Sequence, residues 1–293
     1  MRTRSAVIAV LLAIVLVGAA AQAQGLVLRY KYTAGAVDNY VMKGAFEGSM
    51  RTANQGEMPI DLSLDGRMRI KTTAVTQDGV ASQEMTLDRM EVNTTMMGME
   101  AQMVMEQGQM TLMVNGQPMD LPQGMPGMDA LGKPIKSKTN TRGQVLEVDL
   151  SGLGDMFGGF DPATMQEASV VFPEGPVSPG DSWSNSLKIP MAVMGEKMEL
   201  TVNFTYKFIG TEKYKDADVA RIALKGTAQM RGGADAKLES IKQSFSGYEL
   251  FDYNAGRTPY SKMHMDQVMK MTPAADQPEV NMSIAGDIEM ILQ

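Results

Sequence analysis

The chain has no cysteine, one histidine and one tryptophan, and each scarcity removes a class of chemistry. Without cysteine there are no disulfides, no thiolate nucleophile and no lipid-modified N-terminal cysteine. A zinc centre would have to rely on oxygen ligands around the lone imidazole, a set too hard for a typical structural site. Any histidine-dependent triad must use His264, which sits in "KMHMDQ" on the polar face of a predicted strand, and no serine stands in a nucleophile-elbow context. Basic residues are the minority, 27 Lys and Arg against 34 Asp and Glu for a formal charge of -7. That balance argues against nucleic acid and anionic membrane surfaces as partners. The acidic segments lack calcium-loop spacing, and the glycine-rich "SGLGDMFGGF" at 151–160 lacks the Lys-Ser/Thr of a phosphate-binding loop. Carboxylates are plentiful, but nothing selects two of them as an acid–base pair. The reading is of a protein without a cofactor, and not an enzyme.

The N-terminus carries a targeting signal. Arg2 and Arg4 precede twelve apolar residues, Ala6 to Val17, and Ala21-Gln22-Ala23 is a small-x-small cleavage site. The apolar stretch is shorter than a spanning helix needs and has no basic flank at its far end, so cleavage before Gln24 is expected. Residues 24–293 would then be exported to the periplasm or beyond, at a charge of -9 once Arg2 and Arg4 are removed from -7. No later apolar run reaches the roughly 18 residues of a membrane helix.

Period two dominates the chain beyond the signal. In "MELTVNFTYKF", Met198, Leu200, Val202, Phe204, Tyr206 and Phe208 alternate with polar residues without a miss, the pattern of a strand with one buried face. The same alternation runs through Ile60 to Ile70, Ala220 to Met230 and Val280 to Leu292. Asp65-Gly66, Asp78-Gly79, Asn115-Gly116 and Arg142-Gly143 read as turns between such runs. Asp161-Pro162 predicts a short helix over 162–169, and the Pro/Gly-rich stretch 118–134 predicts a loop. The fold class is all-β with one or two short helices, in one domain of two sequential halves, about 25–150 and 162–293.

Methionine is the abundance to explain. There are 29, seven of them in "TTMMGMEAQMVMEQGQMTLMV" at 94–114. Thioethers favour copper(I), so Met96, Met97, Met99, Met103 and Met105, or Met263, His264 and Met265, form candidate ligand sets for a copper-binding protein. Ligands need not respect hydrophobic phase, however, and these residues do. Met263, Met265, Met269 and Met271 share one strand face, as do Met99, Ala101, Met103 and Met105, while Met282 and Met290 stand in register with Val280, Ile284, Ile288 and Leu292. Methionine therefore substitutes for aliphatic residues. A flexible, polarizable lining suits a promiscuous apolar groove, for a lipid or a hydrophobic peptide. A concavity filled by its own side chains, in a purely structural envelope protein, is the other arrangement.

One segment is individual. In "VVFPEGPVSPGDSW" at 170–183, Pro179-Gly180 suits the central positions of a type II turn, Asp181 can accept backbone N–H bonds, and Trp183 opens a strand. Pro173, Pro176-Val177 and Gly180-Asp181-Ser182-Trp183 resemble the P-x-x-P-V-x-x-G-D-S-W signature of a family of uncharacterised exported bacterial proteins. "LRYKYTAG" at 28–35, similar to that family's aromatic-basic first strand, and Gly143-Gln144-Val145, similar to its hairpin, extend the resemblance over most of residues 24–293. Members are often lipoproteins, which this chain, without cysteine, is not. The resemblance implies a large curved antiparallel sheet, similar to the half-barrel of periplasmic lipoprotein carriers, and brings no catalytic residues.

Overall fold

The computed structural model describes residues 25–52, 55–119, 132–149, 171–193, 196–231, 238–271 and 279–293. The cleavage site, the helix expected over 162–169, the stretch 151–160 and most of the 118–134 loop lie outside them. Among the described residues there is no helix. Fourteen antiparallel strands form one sheet: β1 (Val37–Thr52), β2 (Gln55–Val75), β3 (Ala81–Met96), β4 (Met99–Glu106), β5 (Gln109–Val114), β6 (Gln117–Met119), β7 (Ile135–Thr139), β8 (Val145–Asp149), β9 (Ser182–Val193), β10 (Glu196–Tyr214), β11 (Ala217–Arg231), β12 (Leu238–Asp252), β13 (Arg257–Met271) and β14 (Val280–Leu292). The order is β6-β5-β4-β3-β2-β1-β14-β13-β12-β11-β10-β9, with the β7–β8 hairpin on the end of β3. The chain thus builds outward from β1 in one direction and returns through β14, which pairs with β1 from Tyr40↔Leu292 to Thr52↔Val280. The curved sheet does not close, since β6 and β9 do not pair with each other.

Alternation dictates the faces. On β2 the even residues from Met58 to Thr72 are buried or half-buried and the odd ones exposed. That phase runs straight through Asp65-Gly66, so the turn expected there is strand instead. Gly66 occupies an apolar slot opposite Met42 in place of a side chain. Turns do form at Asp78-Gly79, Asn115-Gly116 and Arg142-Gly143, each with its glycine at positive φ. In the methionine-rich stretch, Met97-Gly98 and Gln107-Gly108 repeat the geometry of Asn115-Gly116, both residues at positive φ, as type I′ hairpin turns require. The segment 94–114 is therefore a tight meander of β3, β4 and β5.

Curvature comes from glycine. Gly48, Gly247 and Gly286 lie in the apolar phase of β1, β12 and β14. A Cβ at each would come within 2.1 Å of a carbonyl oxygen on the neighbouring strand, those of Ser283, Lys262 and Ala45. The sheet can bend toward this face there only because no side chain is present, so the apolar face is concave at these glycines, while the opposite, polar face carries a wide hollow of about 970 Å³ lined by Glu47, Ser49, Asp61, Ser63, His264 and Ser283. Gly247→Val is expected to destabilise by at least about 2 kcal/mol, because the obstacle is backbone and cannot turn aside. Unchanged urea stability would mean the sheet does not bend at β12.

One end of the concave face is capped. Leu28, Phe172, Val177, Tyr206, Phe208, Ala220, Ile222 and Phe251 form the main buried cluster, with Tyr30 and Trp183 packed against it. The aromatic-basic stretch 28–35 is not the first strand that the sequence suggests. It is extended, but most of its backbone bonds run to loops: just before it Leu26 pairs with Val177, the Tyr30 N–H donates to the Thr141 carbonyl at 2.7 Å and the Lys31 N–H to Gly256 at 3.1 Å, and only at its end does the Gly35 N–H reach a strand, at the Thr72 carbonyl of β2. It lies across the sheet end rather than extending it. The Pro/Gly motif secures the same cap. Gly180 has φ +102° and the Asp181 N–H donates to the Ser178 carbonyl, closing the type II turn, while the Asp181 carboxylate accepts the Ser178 N–H at 2.8 Å. Arg29 donates to the Pro173 carbonyl at 2.8 Å, and Arg142 Nε to that of Phe172 at 2.7 Å.

Candidate functional site

Beyond the cap, the register sets apolar side chains in rows across the concave face. One row reads Phe46, Gly286, Met265, Phe245, Gly226, Phe204; its neighbour reads Gly44, Ile288, Met263, Gly247, Leu224, Tyr206. Large rings stand beside glycines. A Cβ on Gly286 would meet Phe46 Cδ1 at 2.6 Å, and one on Gly226 would meet Phe204 Cδ1 at 2.5 Å, so the rings lie down over the empty positions and leave a smooth apolar floor.

The methionines singled out from the sequence belong to this face, except Met97, which sits in the exposed turn between β3 and β4. Met263 pairs with Gly247 and Ile288, and Met265 with Phe245 and Gly286. Met269 and Met271 pack against buried Met230 toward the end away from the cap. All four are half-buried. On the other arm, Met103 pairs with Val92 and Leu112, and Met105 with Met90 and Met110; Met99, beside the Met97-Gly98 turn, is 47% exposed. The two groups do not converge. Five strand spacings separate β4 from β13, roughly 24 Å along the sheet, so they are two walls of one trough. His264 faces the opposite, polar side with Nδ1 at 2.7 Å from Asp287, and so does not join Met263 and Met265. That side carries a ladder of exposed charges, including Lys262 with Asp287 at 3.1 Å and Glu289 at 3.2 Å. Among the described residues no group of three His, Asp or Glu could hold a metal ion.

Where the cap meets the trough there is a cavity of about 490 Å³, within the size range of small-ligand sites. Tyr40, Met68, Ile70 and Met290 supply its apolar wall, Tyr30 and Tyr32 its cap side, and Glu249 its most unusual group. Glu249 lies in the apolar phase of β12, opposite Ile222 and Ser261. The residue is half-buried because it lines the cavity, but its Oε1 is out of reach of solvent and has no hydrogen-bond partner among the described residues. Burial alone pushes the carboxyl from an ordinary 4.5 up to about 7. The tyrosines around it feel the same desolvation, the Tyr40 hydroxyl being raised to about 12. Trp183 Nε1, stacked on Tyr206 at 5.7 Å, is the other buried polar atom without a partner among the described residues.

Neither the cavity nor Glu249 stands out from composition or motif. The signal for Glu249 is phase: Ile241, Gln243, Phe245, Gly247, Glu249 and Phe251 alternate along β12, placing a carboxylate in a slot whose neighbours are apolar or small. The P-x-x-P-V-x-x-G-D-S-W residues, by contrast, build the cap and contribute no lining side chain to this cavity.

No family model and no curated protein matches the chain. Among solved structures, one of lipovitellin, described as showing lipid–protein interactions, is 10% identical and aligns over 90% of this chain with a TM-score of 0.44; the chain spans 25% of the lipovitellin chain's length. The hypothetical lipoprotein YmcC from Escherichia coli K12 is 10% identical over 82% of this chain and 83% of its own, with a TM-score of 0.24. An outer membrane channel from Pseudomonas putida F1 is 7% identical over 90% and 97%, with a TM-score of 0.25. At such scores these likenesses assign no function, and the chemistry of the trough rests on its own residues.

Proposed function

We propose that the protein is an exported, non-enzymatic binding protein of the cell envelope that holds a lipid acyl chain in its methionine-lined trough. The observation that carries this reading is the half-buried state of Met263, Met265, Phe245, Ile284 and Ile288 on a concave face that, among the described residues, is capped at one end. A self-filled core would bury these residues as it buries Phe172, Phe208 and Phe251, each at most 2% exposed. An apolar surface this continuous is costly to leave in water and is favourable to cover, by about 25 cal/mol per Å². Methionine suits it, because unbranched thioether side chains repack around chains of different length and unsaturation. Among the described residues no helix is long and apolar enough to cross a membrane.

Native mass spectrometry of the protein purified without detergent from its own host tests the reading. The expected spectrum shows a population heavier than the polypeptide by one lipid, released on collisional activation. A bound peptide would redirect the assignment to a hydrophobic-peptide carrier, and a spectrum of bare polypeptide alone would contradict occupancy.

A further inference from the structure

We infer that the cavity at the capped end is a head-group site, and that it selects amphiphiles carrying a protonated amine, which Glu249 receives while the chain runs out along the trough. This inference rests on the apolar-ligand reading and adds the head-group chemistry to it.

The cavity has hydrogen-bonding capacity that the protein itself does not match. Several of the donors that line it are already engaged, and no described lining group donates to Glu249 Oε1. Lys31 Nζ donates to the Asn254 carbonyl at 2.8 Å, the Arg257 guanidinium is 3.7 Å from the Asp38 carboxylate, and Tyr32 Oη donates to the Asn140 carbonyl at 3.3 Å. The Tyr30 hydroxyl is in hydrogen-bond contact with Thr258. What remains is an acceptor, Glu249 Oε1, buried and without a partner among the described residues. A buried polar group left unsatisfied is costly, and it is retained where something else satisfies it. The missing complement is a donor, and the ligand has to bring it.

Charge narrows the class of donor. The titratable groups that interact with Glu249 are Tyr30 of the N-terminal segment, Tyr40 of β1 and Tyr206 of β10, while Asp38 of β1, Arg257 of β13 and Lys31 of the N-terminal segment line the same cavity. The tyrosines are neutral, their pKa values raised by burial, and Arg257 is taken by Asp38. An ionised Glu249 therefore has no counter-charge beside it: Arg257 is held by Asp38, and Lys31, exposed and bound to the Asn254 carbonyl, is not among the influences on Glu249. A carboxylate or phosphate head group placed at Glu249 would meet a like charge. A hydroxyl would supply a donor but leave the carboxyl to stay protonated. An ammonium supplies both donor and counter-charge, in surroundings where a charge-assisted hydrogen bond is at its strongest. The direction of the chain follows from the same wall. Tyr40, Met68 and Met290 line the cavity, and two residues further along their strands Met42, Gly66 and Ile288 continue onto the open face.

The test compares octylamine, octanol and octanoate, below their aggregation concentrations, for displacement of the uncharged probe N-phenyl-1-naphthylamine from the wild-type protein and from Glu249→Gln. At pH 7.5 the amine is expected to displace the probe at least about tenfold more tightly than the alcohol, and octanoate more weakly than both. In Glu249→Gln the amine and the alcohol should become equal in the displacement each achieves, relative to that variant's own probe affinity. In the wild type the amine preference should shrink at pH 5, where the carboxyl is protonated. Probe binding without an amine preference, or a preference that survives in Glu249→Gln, would overturn the head-group site alone. No uptake of the probe or of any of the three amphiphiles would overturn both this and the apolar-ligand reading.

Discussion

Replacing Phe172 by alanine is expected to remove about 3–5 kcal/mol of stability, the range for deleting a fully buried ring. Its side chain is 0% exposed and sits at the centre of the aromatic cap, stacked on Tyr30 at 5.2 Å and edge-on to Phe251 at 4.7 Å and Trp183 at 6.4 Å. The cap joins three pieces of chain distant in sequence: the extended N-terminal segment, the Pro/Gly motif and strands β9 to β12. Scattered backbone bonds hold the first two in place: the Leu26–Val177 pair, Tyr30 to Thr141, Lys31 to Gly256 and Gly35 to Thr72 for the segment, and Phe172 to Arg142 with the exchange between Gly180, Asp181 and Phe208 for the motif. The cavity left by alanine could not collapse without moving one of them. Urea unfolding monitored by the fluorescence of Trp183, the only indole, reads the loss where it arises. A cost under about 1 kcal/mol would mean that the N-terminal segment does not pack on the sheet end.

Stability should fall as pH rises from about 4.5 to about 7, by up to about 3 kcal/mol, and Glu249→Gln should abolish most of that fall. In the unfolded chain the carboxyl titrates near 4.5, in the folded protein near 7. Below 4.5 both states are protonated and burial of the carboxyl costs little. Between the two values the unfolded chain gives up its proton while the native state keeps it, so the native state binds more protons and loses stability with each pH unit. Above about 7 the full cost of a buried, unpartnered carboxylate is present and constant. His264 works in a neighbouring window. Its hydrogen bond to the Asp287 carboxylate raises its pKa, so whatever it contributes is present below the unfolded value of 6.5 and lost as pH rises through the folded one. That pair is exposed and screened, and it is common to wild type and variant, so the difference between their pH profiles isolates Glu249. Parallel profiles would mean that Glu249 is solvated in the native state.

What the sequence made legible was whatever phase alone determines. Strands β10, β11 and β14 show uninterrupted alternation, and β13 places Met263, Met265, Met269 and Met271 on one face with His264 on the other, as it folds. The type II turn was legible because Pro179 and Gly180 each fix a backbone angle. The same logic misread Asp65-Gly66: a glycine within a strand can serve packing as well as turning, and only its apolar register opposite Met42 tells which. The stretch 28–35 alternates as a strand does, yet whether an extended segment joins a sheet depends on which backbone lies beside it, and that is decided by Val177, Thr141 and Gly256, far along the chain. The cavity was hidden for a related reason. Glu249 is one acidic residue among 34; its solitude follows from the arrival of Tyr30, Tyr40 and Tyr206 around it, from segments more than 40 residues away in sequence, on the order of the separations that make β contacts illegible locally.

The most direct measurement of the central claim, that the methionine face is an open binding trough and not a filled core, is titration of N-phenyl-1-naphthylamine into the wild-type protein and the double variant Met263→Glu/Met265→Glu, with far-ultraviolet circular dichroism on both. An open trough tolerates two carboxylates that water can reach, whereas a packed core does not, since each unpaired buried charge costs several kcal/mol. The expected result is saturable probe uptake by the wild type and a folded double variant whose uptake is largely lost. An unfolded double variant together with a wild type that takes up no probe, or a folded double variant that binds the probe undiminished, would contradict it.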